Sequence, residues 1–287
     1  MPNGFVNVLK APGITSHDIV AHLRKVYGIK KIGHAGTLDP AAAGVLPVAL
    51  GKATRMLEYM ENVDKSYTAE VTFGYTTDSG DDMGNIIEKA QYQMPTQEAI
   101  EEVLQSFRGE IKQRPPIYSA VRINGQKAYN LARKNIEVEM PERTVIIHDI
   151  KFHEMTEKGF VFSVKCSKGT YIRSLCMDIG KKLGIPAVMS FLVRTHVGKF
   201  KLENAWSTEE IGMMPHKALY PMDFPIKHLP EYKISENEAL MIKQGKKINV
   251  AEKFINKFIR LYTDKDFVGI GRYIFSEGKI APHKVVL

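Results

Sequence analysis

A single carboxylate, Asp39, stands among small and apolar residues in the run Gly33-His34-Ala35-Gly36-Thr37-Leu38-Asp39-Pro40-Ala41-Ala42-Ala43-Gly44-Val45-Leu46. A carboxylate in such surroundings costs free energy unless a cation or hydrogen bonds compensate it. Pro40 biases Asp39 away from helix, which puts the carboxylate on an ordered loop. The residues themselves leave two readings open, a turn-capping aspartate and a nucleophile. Arg173 is the one basic residue whose placement asks for a reason. It falls in the first turn of an expected helix, on the polar side of its stripe, where the helix dipole does not favour a cation. Tyr67 starts an alternating stretch and reads as a core aromatic. His34, beside glycines, reads as an ordinary loop histidine.

The elements that must position these groups follow from periodicity. Phe5 to Val8 is a short strand, and Ala11-Pro12-Gly13 a turn. Thr15 or Ser16 caps a helix carrying Ile19, Val20, Leu23 and Val26, which Gly28 ends. Lys10, just before the turn, is either a surface lysine or a support for the Asp39 loop. Tyr67, Ala69, Val71 and Phe73 alternate with Thr68, Glu70 and Thr72 as a half-buried strand. The acidic stretch Thr76–Asp82 is expected to be a solvated loop. Thr96 caps a helix with a stripe of Ile100, Val103, Leu104 and Phe107, stopped by Gly109.

Two prolines exclude helix from 113–125, whose alternation suggests a strand closed by the Asn124-Gly125 turn. A short helix with Tyr129, Ala132 and Arg133 follows. Strands are expected over 145–152, 160–166 and 190–198, with a helix between the last two. Thr170 is its expected cap, Ile172, Leu175, Cys176, Ile179 and Leu183 its stripe, and Gly184 its end. Pro221, Pro225 and Pro230 mark a linker. Short strands are expected at 267–273 and 285–287.

The chain has 287 residues, 44% hydrophobic and 25% charged, and a net charge of +8. That size fits one large domain and a small one. Residues 228–287 carry 11 Lys/Arg against 7 Asp/Glu, so half of the net charge sits in a fifth of the chain. A basic balance favours a polyanionic partner, and a solvated basic surface remains the plainer reading. No apolar run approaches the ~20 residues of a membrane span, and the N-terminus lacks the order of a signal peptide. Cys166 and Cys176 form no CxxC pair, and the histidines show no HxxH or HExxH spacing. The expectation is a reduced, cytoplasmic, metal-free protein.

The run from Gly33 to Leu57, with Gly36-Thr37-Leu38-Asp39-Pro40 and Gly44-Val45-Leu46, resembles the signature of the bacterial tRNA pseudouridine-55 synthases, the TruB family. Lys65-Ser66-Tyr67, Gln113-Arg114-Pro115-Pro116-Ile117-Tyr118-Ser119-Ala120-Val121-Arg122 and Gly169-Thr170-Tyr171-Ile172-Arg173 extend the likeness in order. Two departures are Ala11 where the family has proline after Lys10, and Arg122 where lysine is commoner. The resemblance implies an α+β (mixed) fold. Residues 1–226 would form a catalytic domain around a mostly antiparallel sheet flanked by helices and loops. Residues 227–287 would form a small PUA-like β-barrel that binds RNA.

It further implies that Asp39 is the catalytic carboxylate and Arg173 its partner cation. Tyr67 would stack on the target base, Tyr171 and Leu192 would line the uridine pocket, and His34 would fill the space the flipped base leaves. Uridine 55 in the T-loop of tRNA would be isomerised without cofactor or metal, by a monomer with no obligatory protein partner and no membrane association. The basic residues Arg114, Arg122, Lys127, Arg133 and Lys134 would be candidates for phosphate contact. A non-catalytic RNA-binding protein or chaperone on the same scaffold is the alternative. A guide-RNA-dependent relative is a further rival. A hydrolytic glycosidase is disfavoured by a motif with one carboxylate where such enzymes usually need two.

Overall fold

The computed structural model describes every residue except Met1, Ala120, Asn124, Arg133, Asn135, Glu137 and Leu287. The expectations on Ala120, Asn124, Arg133 and Leu287 therefore lie outside the described residues.

Four strands lead into the site: β1 (Gly4–Lys10), β2 (Ile32–His34), β3 (Ala43–Leu50) and β4 (Lys65–Phe73). Among the described residues they belong to a ten-stranded sheet. Its order is Leu219–Tyr220, β1, β3, Ala187–Val197, β4, Gly159–Cys166, Arg143–Met155 and Gly109–Gln113, with β2 on β3 and Phe200–Lys201 on Ala187–Val197. All these pairs are antiparallel except β3 with Ala187–Val197, which run parallel through Val193↔Ala43 and Arg194↔Gly44. The parallel seam is where the two halves of the sheet meet, and it carries Gly44 and Arg194.

The four expected helices form where the pattern places them, and two more, Thr208–Met213 and Glu236–Lys243, were not expected. α1 (Ser16–Tyr27) is closed by a Thr15 capping box and a left-handed Gly28, and its stripe packs on Val6, Val8, Leu46 and Val48. α2 (Gln97–Gln105) has the Thr96 cap. α3 (Ala128–Ala132) is short. α4 (Ile172–Leu183) ends at a left-handed Gly184. α2 and α4 cover one face of the other half of the sheet, burying Ile100, Leu104, Leu175, Cys176 and Ile179 against Tyr67, Ala69, Val71 and Phe73. No helix among the described residues is long and apolar enough to cross a membrane.

Three expectations change. Thr170 does not cap α4; its hydroxyl donates to the Ser167 carbonyl and Tyr171 takes the cap position without a side-chain bond. Among the described residues the expected strand over 113–125 survives only as the end of Gly109–Gln113 and as Arg122–Ile123, because Pro115 and Pro116 cannot donate to a ladder. The proline-marked linker is a packed seam: Phe224–Ile226 is one buried turn, with the Phe224 ring 4.6 Å from Tyr220 and 5.0 Å from Phe200.

Beyond the seam, a five-stranded sheet (Glu231–Lys233, Phe258–Tyr262, Phe267–Ile274, Lys279–Val285, Ile248–Asn249) has its own core with Ala239 and Ile242 of the helix Glu236–Lys243. It touches the larger body through Ile270, Val286, Phe258 and Phe267, and through an ion pair of Arg260 with Asp223 at 3.3 Å.

Candidate active site

The Asp39 loop is held from below by groups that sequence reading undervalued. Lys10 is fully buried. Its Nζ donates to the carbonyls of Ala11 (2.9 Å), Pro40 (3.1 Å) and Ala42 (2.6 Å). Burial, partly offset by Asp39, pulls its pKa down from 10.5 to about 8. The plain surface reading of Lys10 is therefore wrong; it clamps the loop on the C-terminal side of Asp39. Ser16 at the start of α1 adds a second clamp, its hydroxyl accepting from Leu38 N–H at 2.9 Å.

Arg194 is the larger omission. Its guanidinium is buried and donates to Val45 O at 2.8 Å, Gly36 O at 3.0 Å and Thr37 O at 3.4 Å. The Tyr67 hydroxyl and Asp39 both lie close enough to favour its charged form. Gly44 permits this approach: at φ +110° it passes Arg194 so closely that a Cβ would lie 2.2 Å from the Arg194 carbonyl oxygen. A sequence signal for Arg194 exists. On a strand it shares the face of Leu192, the residue assigned to the pocket.

Arg173 reaches Asp39 from the first turn of α4. Nε stands 3.0 Å from Asp39 Oδ2 and 3.8 Å from Asp81 Oδ2, while the terminal nitrogens donate to Ser79 O (2.8 Å) and Tyr118 O (2.9 Å). The expectation of a polar-side arginine is corrected: the side chain is buried, and its reason for being there is this set of acceptors. The Thr76–Asp82 stretch is likewise corrected. It is not a solvated loop but the wall that holds Arg173, with Asp81 itself pinned by Ser79 and Met83.

Tyr67 is buried beside Leu38, Ala42 and Leu192, so the carboxylate loop, the aromatic and the leucine share one apolar floor. Burial pushes the Tyr67 phenol up to about 12, which keeps it protonated at neutral pH. Tyr171 is fixed through its backbone, which exchanges two hydrogen bonds with the Gln113 amide. Its ring packs toward Val121, Ala128 and Met140 rather than onto that floor. His34 sits half-buried at the end of β2, and burial with Arg194 nearby pulls its pKa down, so the ring is neutral. Asp39, Tyr67, Arg173 and Leu192 are thus brought together, with Tyr171 and His34 at two sides. Among the described residues no three of His, Cys, Asp and Glu converge as metal ligands.

An exposed-edge carboxylate, a buried cation and a dry aromatic floor can hold a flat uncharged ring and stabilise charge changes beside it. Comparison with known proteins agrees. Residues 24–172 match the model of the TruB family pseudouridylate synthase N-terminal domain. Residues 173–221 match the tRNA pseudouridylate synthase B C-terminal domain, and residues 230–286 the C-terminal domain of pseudouridine synthase II TruB. A protein of Caldanaerobacter subterraneus subsp. tengcongensis named tRNA pseudouridine synthase B is 45% identical over 286 residues, 99% of each chain. Its namesake in Clostridioides difficile is 40% identical over 284 residues, 94% of each. Among solved structures, a chain of an H/ACA RNP bound to a substrate RNA containing 2'-deoxyuridine superposes with a TM-score of 0.76 at 28% identity, covering 99% of this chain and 85% of that one. A chain of a Cbf5-Nop10-Gar1 complex gives 0.74 at 29%, covering 98% and 84%. The chain belongs to the TruB family of pseudouridine synthases.

Proposed function

We propose that the protein isomerises uridine 55 in the T-loop of tRNA to pseudouridine. The N1–C1′ bond breaks, the base turns, C5 joins C1′, and the C5 proton is lost while N1 gains one. The observation that carries this reading is the 3.0 Å pair of Asp39 with Arg173 at the rim of the floor made by Leu38, Tyr67 and Leu192. Asp39 is the catalytic carboxylate. Attack on the sugar, attack on the base and abstraction of a sugar proton all require it ionised, and Arg173 favours that state. Tyr67 carries the detached uracil, and Leu192 and Tyr171 bound it. A stacked base must be extruded to reach the loop, at a cost of a few kcal/mol; His34, neutral and half-buried, is assigned to the vacated space.

Residues 1–226 act as the catalytic domain and 227–287 as a PUA-like RNA-binding domain. The protein works as a cytoplasmic monomer that needs no protein partner. The RNP context of the structural neighbours favours one rival, a guide-dependent enzyme, and the same assay separates them. Purified protein alone should release tritium from a tRNA transcript labelled at uridine C5, and Asp39→Asn should not. Loss of release when uridine 55 is replaced fixes the position. Tight tRNA binding with no release from the wild type would overturn the reading.

A further inference from the structure

We propose that a cleft on the sheet face opposite Tyr67 binds the phosphodiester backbone of the RNA substrate. This rests on the reading of the protein as an RNA-acting enzyme. The cleft, about 650 Å³, is lined in part by Ser66, Lys165, His196, Lys201, Asp64 and His228. Register aligns four of these in one row across neighbouring strands: Lys165 pairs with Ser66, Ser66 with His196, and His196 with Lys201. Three strand spacings separate the two lysines by roughly 14 Å.

The row is cationic and unspent. Among the described residues Lys165 and Lys201 make no ion pair, and the one lining carboxylate, Asp64, is already met by His148 at 3.1 Å. Lys65, the strand neighbour of the lining residue Ser66, links this region to the Asp39 loop. Lys65, next to Ser66, donates to the carbonyl of Val63 on the cleft wall at 3.0 Å. Its Cε lies 3.7 Å from where a Cβ on Gly36 would stand. His228 closes the other side, in the segment leading to the C-terminal sheet. The cleft therefore lies one residue along the strand from the Lys65 side chain that packs at Gly36, and opens toward the segment that leads to the C-terminal sheet. Phosphate is the matching chemistry, since lysines act as point charges and Ser66 and the histidines donate hydrogen bonds.

The test is tRNA affinity against salt for the wild type, Lys165→Ala/Lys201→Ala, and a charge-matched control, Lys25→Ala/Lys30→Ala, on the exposed α1 side. Each lost phosphate contact lowers the slope of log K against log[salt] by about 0.7–0.9, so the cleft double variant should lose about 1.4–1.8, with affinity down on the order of tenfold at 0.15 M salt. The control should keep the wild-type slope, and the loss in turnover should appear in KM. An unchanged slope in the cleft variant, or an equal loss in both, overturns the proposal. If the wild type binds tRNA but forms no pseudouridine, the functional reading falls while a cleft-specific slope change still supports the RNA contact.

Discussion

Arg173 Nε lies 3.0 Å from Asp39 Oδ2, yet the two ends of this pair differ in exposure: the arginine side chain is 5% exposed and the aspartate 40%. The cation is fixed by Asp81, Ser79 and Tyr118 as well, whereas the carboxylate keeps an edge open to solvent. A buried arginine with several acceptors is a fixed electrostatic reference, and it keeps the carboxylate oxygen in place without enclosing it.

Removing that reference should act on chemistry more than on binding. Arg173→Ala should lower the single-turnover rate by roughly 10²–10³-fold, the usual size for one preorganised charge contact, with tRNA affinity within a few fold of wild type. Arg173→Lys should recover part of the rate, since it keeps the charge but cannot reproduce the fork. Equal losses in rate and affinity would refute the role.

Lys10 predicts a pH dependence with a defined sign. Its folded pKa, about 8, lies below the ordinary 10.5. The folded protein therefore sheds this proton first. Between about pH 8 and 10.5 the unfolded chain binds more protons, and stability from this group rises with pH. The clamp on Pro40 and Ala42, by contrast, loses its charge above pH 8. The rate should fall through pH 8–9 while the melting temperature gains from this group. Lys10→Met should be slower throughout and lack the limb; a limb retained in that variant would assign it to another group.

Arg194 ties the loop carbonyls of Gly36, Thr37 and Val45 to the strand that bears it, and Tyr67 lies directly across the ladder. Arg194→Met should leave the strand in place but free the loop to shift relative to Tyr67. A misplacement of ~1 Å costs about 10²-fold in rate. The effect should appear in kcat with KM little changed, and Arg194→Lys should rescue part of it. A variant that folds and keeps wild-type kcat would refute the tether.

Much of this was legible because it is local. The Thr15 cap, the Gly28 and Gly184 stops and the Tyr67–Phe73 alternation are carried by neighbours in sequence, and the structure keeps them. The misses at the site share one cause, long separation along the chain. Arg173 fell on the polar side of its helical stripe, and periodicity could not name its further acceptors because Ser79 and Tyr118 lie 94 and 55 residues away. Asp81 looked solvated for the same reason. Lys10 and Arg194 are buried cations whose acceptors are backbone carbonyls, and residue types carry no mark of which carbonyl they will meet. The strand expected after Gln113 failed because alternation was weighed above the missing N–H groups of Pro115 and Pro116.

The proline-rich seam yields the last prediction. Asp223, nearly buried, accepts from Arg260 at 3.3 Å and from the Tyr262 hydroxyl at 2.6 Å. Arg260 and Tyr262 belong to the C-terminal sheet, so this carboxylate is a polar bolt between it and the larger body. Breaking one side of a buried pair strands the other charge and costs about 3–5 kcal/mol. Glu231, 3.5 Å from Arg260, offers a second partner, which puts Asp223→Ala near the lower end. Urea unfolding should show that loss as a lower midpoint, and Asp223→Ala/Arg260→Met should recover much of it because no unpaired charge remains. The same contact bears on truncation. Removing residues 228–287 takes Arg260 from Asp223 and bares Phe224 and Ile226, so the shortened protein should lose stability together with tRNA affinity. A truncated form that melts like the full chain would show the seam to be a linker after all.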